Sequence, residues 1–307
     1  LFFARPFIDP TAPGIPWGVD LGDDLAYVGT LRSELLGSGR LLTWWSVAHD
    51  GIPLIGHPNT QFFYLPFTIP TLTLGTAAGV RVTYVGSLLL AGFGMYLLAR
   101  LLGPRPFIAA WTGLLFAMSG GMEARIFAGH LQKVLALPLV PLVLGGALMM
   151  GRAKSRQSIV LWGLTTGLVH GFTFLAGESF LQIFLVVAVP LIVVTVSKGE
   201  AGLSWVHRVI WGLVAWGAGL VVATAGKLVA AVSVLTETVR NVNPYIGSEH
   251  SYWAIVHLAT PPLPDAFQHT FYGWWEYSQY IGIVPVILAG VACGAVILRI
   301  SRCESIL

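Results

Sequence analysis

Apolar runs of about 18 to 25 residues, the length that crosses a bilayer, recur near residues 78–100, 107–122, 134–150, 158–176, 179–196, 209–235 and 280–299. Hydropathy of this kind predicts an all-α, polytopic transmembrane helix bundle. The stretch 62–75, FFYLPFTIPTLTLG, is apolar too, but it is shorter and broken by Pro66 and Pro70, which suits a kinked or membrane-dipping element. No period of 20 to 50 residues repeats along the chain, which speaks against a solenoid or a simple inverted-repeat transporter. The opening LFFARPF, without an initiating Met, is expected to be the end of a truncated first span covering residues 1–4.

Residues 20–66 break the apolar pattern. Leu25, Val28, Leu31 and Leu35 recur at three- and four-residue steps with Arg32, Ser33 and Glu34 on other faces, which predicts a short helix in the membrane interface. Asp23 and Asp24 sit at its N-terminus. There an Asp can cap free backbone N–H groups and meet the positive end of the helix dipole. Equally, a carboxylate held near hydrocarbon is costly enough to mark a functional residue.

Composition narrows the class. The chain is 55% hydrophobic and 10% charged, and its net charge of +3 spread over 307 residues forms no basic stripe, so nucleic acid is not an expected partner. Cys293 and Cys303 form neither a disulfide framework nor a metal-ligand spacing.

Charge placement predicts the topology. If loop 5–77 is extracytoplasmic, then Arg100, Arg105, Arg152, Lys154, Arg156, Lys198, Arg208, Arg299 and Arg302 fall in short cytoplasmic connections, as the positive-inside rule requires. Twelve acids, including Asp23, Asp24, Asp50, Glu123, Glu178 and Glu276, then share the outer side with a core of spans over 78–235 between the two long outer loops. The second of these, 236–279, is rich in aromatics and histidine, and the last span and cytoplasmic end occupy 280–307.

Several residues on that side can carry chemistry. Glu123, Arg125, His130 and Lys133 lie in a short outer turn, EARIFAGHLQK at 123–133, where the cations could serve a bound phosphate or simply snorkel at a span end. Asp50 and His57 flank a turn set by Gly51, Pro53, Gly56 and Pro58; with Asp23 and Asp24 they give a weak signal for a divalent cation. Trp44 and Trp45 suit interfacial anchoring more than sugar stacking. Glu178, in the turn AGES, is expected to cap the span that follows, and Lys227 to snorkel outward or pair with an acid.

The order of these motifs resembles the GT-C superfamily of integral membrane glycosyltransferases, more closely its bacterial and archaeal members of the YfhO type. The resemblance rests on the acidic GDD of the first loop, W-x4-HDGIPLIGHP-x-x-QFFYLP, the span end GMYLLAR, AGHLQK followed by LALPLVPLVL, and a late WWEYSQYIGIVPVILA. It implies an enzyme of a prokaryotic cytoplasmic membrane that moves a sugar from a polyprenyl-phosphate donor to a glycan, lipid or protein acceptor on the extracytoplasmic face. In that scheme Asp23 or Asp24 is the catalytic carboxylate, and Arg125, His130 and Lys133 bind the donor phosphate. Asp50, His57, Glu123 and Glu276 are further candidates for acceptor, sugar or metal contacts. A non-catalytic scaffold presenting Trp253, Trp274 and Trp275, a degenerate enzyme, and a lipid or solute transporter are the competing readings.

Overall fold

A computed structural model describes residues 21–46, 52–57, 59–178, 180–199 and 204–237, with Ile287 and Val291 as single helical positions. The truncated first span, the 236–279 loop beyond Glu237 and the rest of the span at 280–299 lie outside the described residues. The chain forms an all-α bundle: α1 (Leu21–Ser38), α2 (Leu65–Leu74), α3 (Thr76–Leu101), α4 (Pro106–Ala117), α5 (Gly120–Ala128), α6 (Leu131–Ala136), α7 (Val140–Arg152), α8 (Arg156–Leu175), α9 (Phe180–Lys198) and α10 (Trp205–Glu237). A single-turn 3-10 helix, Leu137–Leu139, joins α6 to α7.

Six helical stretches among the described residues are long and apolar enough to cross a membrane: Thr76–Leu101, Pro106–Ala128, Leu131–Arg152, Arg156–Leu175, Leu181–Lys198 and Trp205–Val232. They coincide with six of the runs found by hydropathy. Their outward faces carry large apolar side chains, among them Leu89, Phe107, Leu161, Ile183 and Val229. So much exposed apolar surface suits a lipid environment and not water. This is an integral membrane protein.

Small residues set how closely the spans approach. Gly163, Gly167 and Gly171 follow one another every fourth residue on α8, and a Cβ on them would strike Ala215 and Gly212, Trp216 and Leu220, and Ala223 and Thr224 of α10 in turn. Apolar burial gains little between helices that are already in lipid, so this close backbone contact is what joins the pair. At the head of the bundle, α2 and α3 form a tight hairpin through Gly75, in which a Cβ on Gly79 would fall on the backbone of Thr71. The broken apolar stretch at 62–75 is therefore a short helix folded back on a span, with Pro66 in its first turn and Pro70 inside it.

Two local expectations are corrected. The outer turn at 123–133 is mostly helix: the Ser119 hydroxyl accepts the Met122 N–H at 3.4 Å to open α5, which runs to Ala128 before Gly129, at φ 78°, ends it. Only Gly129 and His130 connect α5 to α6. The first loop also contains a two-residue antiparallel pairing, β1 (Trp44–Trp45) with β2 (Ile52–Pro53). Trp44 is exposed as an anchor would be, but Trp45 is buried in the core, because alternate residues of a strand point to opposite faces.

The glycine stripe gives a direct test. Gly167→Leu has to push α8 and α10 apart and should cost about 3 kcal/mol, as overpacking does. Gly217→Ala, where a Cβ meets nothing within 4 Å, should stay within about 1 kcal/mol of wild type. Thermal unfolding of both variants in detergent checks the contrast.

Candidate functional site

The first loop is bound to one end of the bundle by buried polar contacts, and the candidate residues gather around them. Helix α1 buries Leu21, Asp24, Tyr27, Val28 and Leu31. Compared with the expected apolar face, the buried face is rotated to include Asp24 and Tyr27, while Leu25 and Leu35 are half-buried. Both polar residues find partners there, which makes their burial affordable. The Tyr27 hydroxyl donates to Oε1 of Gln61, and the Gln61 backbone N–H donates back to that hydroxyl at 3.2 Å. Arg32 ties the middle of α1 to the end of α2 by donating to the Leu72 carbonyl at 3.0 Å.

Asp23 and Asp24, inseparable by sequence, differ sharply in the fold. Asp23 is exposed and Asp24 is 7% exposed. Nε2 of Gln132 donates to the Asp24 carboxylate, 3.1 Å from Oδ2 and 3.4 Å from Oδ1. Gln132 lies between His130 and Lys133, so the first-loop acid and the AGHLQK segment meet across 108 residues of sequence. His130 is itself buried and occupies the N-cap position of α6, with Nδ1 3.2 Å from Nη1 of Arg125. Lys133, in the first turn of α6, and Glu123, on α5, are both half-buried.

The turn after α8 closes the arrangement. Gly177, at φ 88°, leaves no room for a side chain, because a Cβ there would press on the Asn59 carbonyl and on Cγ of Gln132. The first loop, α6 and the α8–α9 turn thus converge at one end of the bundle. Glu178, in that turn two residues before α9, is buried, and its backbone carbonyl accepts from Nε2 of Gln182 at 3.0 Å. Lys227 of α10 reaches the same end and donates through Nζ to the Thr60 carbonyl at 2.6 Å and the Phe174 carbonyl at 3.1 Å. It is almost fully buried, so it does not snorkel outward as sequence allowed, and backbone carbonyls are among its partners.

The remaining candidates are His57, Asp50 and Glu276. His57 is half-buried in the turn after β2, where its backbone N–H donates to the Pro53 carbonyl at 2.9 Å and its carbonyl accepts the Thr60 hydroxyl at 3.0 Å. Asp50 and Glu276 lie outside the described residues. Among the described residues no three His, Cys, Asp or Glu side chains come together as a metal site.

Beside Lys227 runs an apolar groove of about 520 Å³, walled by Phe62, Phe63, Leu65, Ile69 and Leu72 on one side and by Ala223 and Gly226 of α10 on the other. Sequence reasoning missed Gln132, Gln61 and Tyr27. Tyr27 had a visible signal, lying three residues after Asp24 and so on the same helical face. The two glutamines had none, because their importance comes from what the fold brings to them.

Burial also sets the protonation of two phenols. It pushes the Tyr27 hydroxyl well above the ordinary tyrosine range; the Asp24 charge adds to the rise and the Gln61 N–H opposes it. Burial pushes Tyr64, at the start of α2, up to about 12. No protein-family model, curated protein or solved structure matches the chain.

Two measurements follow from these contacts. Lys227→Met leaves the Thr60 and Phe174 carbonyls without their charged donor and should cost about 2 to 3 kcal/mol, with faster hydrogen exchange in residues 54–64. In the folded chain Tyr64 keeps its proton to higher pH than in the unfolded chain, so its stabilising contribution is intact below about pH 10. That contribution falls as pH rises toward 12. Tyr64→Phe should flatten this part of the stability–pH profile measured by thermal unfolding.

Proposed function

We propose that this protein is a membrane glycosyltransferase that moves a sugar from a polyprenyl-phosphate donor to an acceptor on the extracytoplasmic face. One observation carries the reading: the buried carboxylate of Asp24 meets Gln132, so two of the segments behind the GT-C resemblance form one polar site. The basic connections Arg100–Arg105, Arg152–Arg156 and Lys198–Arg208 lie at the opposite end of the spans. By the positive-inside rule that end is cytoplasmic, which leaves the Asp24 end outside.

In this mechanism Asp24 is the general base. A carboxylate has a low ordinary pKa, about 3.9, so to work as a base it must be held in place when the acceptor arrives. The acceptor hydroxyl gives its proton to Asp24 as its oxygen bonds to the anomeric carbon. The bond from that carbon to the phosphate oxygen breaks, and its electron pair leaves on the polyprenyl phosphate. Gln132 orients the carboxylate, while Arg125, His130 and Lys133 offset the charge on the departing phosphate. The groove beside Phe62, Phe63 and Ile69 offers apolar walls to the prenyl chain. Asp23, exposed on the same turn of helix, takes no part.

Transfer by purified protein, measured with labelled polyprenyl-phosphate sugars and membrane acceptors, separates the two acids. Asp24→Asn should lower the rate by about a hundred- to ten-thousand-fold, the contribution of a positioned base, whereas Asp23→Asn should remain within about threefold of wild type. Full activity in Asp24→Asn would remove this acid from the mechanism.

A further inference from the structure

We propose that Arg156 heads a binding site for an anionic phospholipid at the basic end of the spans, its guanidinium taking the phosphodiester and the face of α8 below it an acyl chain. A groove of about 530 Å³ opens on that face, lined by Arg156, Gln157, Val160, Leu161 and Leu164. The last four recur at three- and four-residue steps, so they stack along one side of the helix. Polar side chains stand in the first turn of α8 and apolar ones run from there into the membrane, which is the order in which a phospholipid presents headgroup and tail. The inference stands on the membrane fold alone and is independent of the transferase reading.

Geometry and charge single out this arginine. Arg100, Arg152 and Arg208, at the same end, spend guanidinium donors on the carbonyls of Pro104, Leu101 and Ala153. The Arg156 side chain makes no hydrogen bond or ion pair among the described residues; what it touches is Trp211 of α10, whose ring centroid lies 3.8 Å from the guanidinium carbon. Guanidinium donors lie in the plane of the group, so a ring against one face positions it and leaves those donors open to an anion. Phosphate oxygens match this planar fork two at a time. The surroundings add to its charge: the described parts of the three basic connections contain no Asp or Glu, and Lys154 is exposed beside the head of α8. A zwitterionic lipid would bring its own cation into that field, and an uncharged one would leave the fork empty. An anionic phospholipid serves the fork, the field and the apolar face together.

Native mass spectrometry of the purified full chain, with phosphatidylglycerol and phosphatidylcholine carrying the same acyl chains, tests the site. Wild type should prefer phosphatidylglycerol, and Arg156→Gln should weaken that lipid about fivefold, the worth of one basic residue at an anionic membrane surface. Binding of phosphatidylcholine should not change, which also verifies that the variant is folded. Lys198→Gln is the control, because Lys198 is a second cation at the same end, 5.6 Å from the ring of Trp205; it should leave both affinities as in wild type. Equal loss in the two variants, equal loss on both lipids, or no loss in Arg156→Gln would assign binding to diffuse charge or apolar contact and overturn the proposal. Displacement of the lipid by excess inorganic phosphate would make this a free-anion site and overturn it as well.

Discussion

Two buried cations on one helix hold the connections of this bundle in place. Arg208 and Lys227 lie nineteen positions apart on α10, about 28 Å at about 1.5 Å per residue, which is close to the hydrocarbon thickness of a bilayer. Neither is left as an isolated charge. Arg208 donates to the Ala153 carbonyl at 3.1 Å and the Ser197 carbonyl at 3.3 Å, and Lys227 donates to Thr60 and Phe174. Arg208 thus satisfies carbonyls at the ends of α7 and α9, and Lys227 one at the end of α8, where backbone acceptors lose their intrahelical partners, and one in the first loop. A charge at either edge of the apolar slab is tolerable, and a hydrogen bond made there has little competition from water.

The contact through Lys227 sets the position of the first loop, and the candidate site depends on that position. Thr60 and Gln61 are adjacent, so fixing one carbonyl to α10 also fixes the side chain that receives Tyr27. Tyr27 lies one turn beyond Asp24 on α1, so the orientation of that helix follows, and with it the approach of the carboxylate to Gln132. Arg152 reinforces the far end by donating to the Leu101 carbonyl at 2.8 Å, and Arg156 stacks 3.8 Å over the ring of Trp211. Among the described residues, the acids and the basic connections therefore occupy opposite ends of a single packed unit.

Hydropathy alone revealed the six described spans, because lipid demands long apolar helices whatever the fold. The broken segment at 62–75 was legible for a similar reason: two prolines and too few residues rule out a crossing. Other features depended on tertiary contacts and left weaker traces. Nothing local distinguishes Asp23 from Asp24 or Trp44 from Trp45, since adjacent residues diverge only when a partner surface chooses one of them. The Gly163–Gly167–Gly171 spacing was present in the sequence, but an apolar run hides it, since small residues in a span look like ordinary hydrophobic filler. Glu123 through Lys133 misled because charged residues suggest a loop, whereas here they decorate two short helices capped back to back.

The glycine stripe on α8 has a kinematic meaning. Two helices in backbone contact along three successive turns cannot slide or roll past one another without first separating, so α8 and α10 behave as one beam. Lys227 fastens the first loop to that beam, with one bond to α8 through Phe174 and one to the loop through Thr60. Freedom to open and close therefore belongs to the pieces hung from it, above all α1 and the α2–α3 hairpin. Any motion that uncovers the Asp24 cluster would displace those pieces, while the frame that aligns the polar groups stays still.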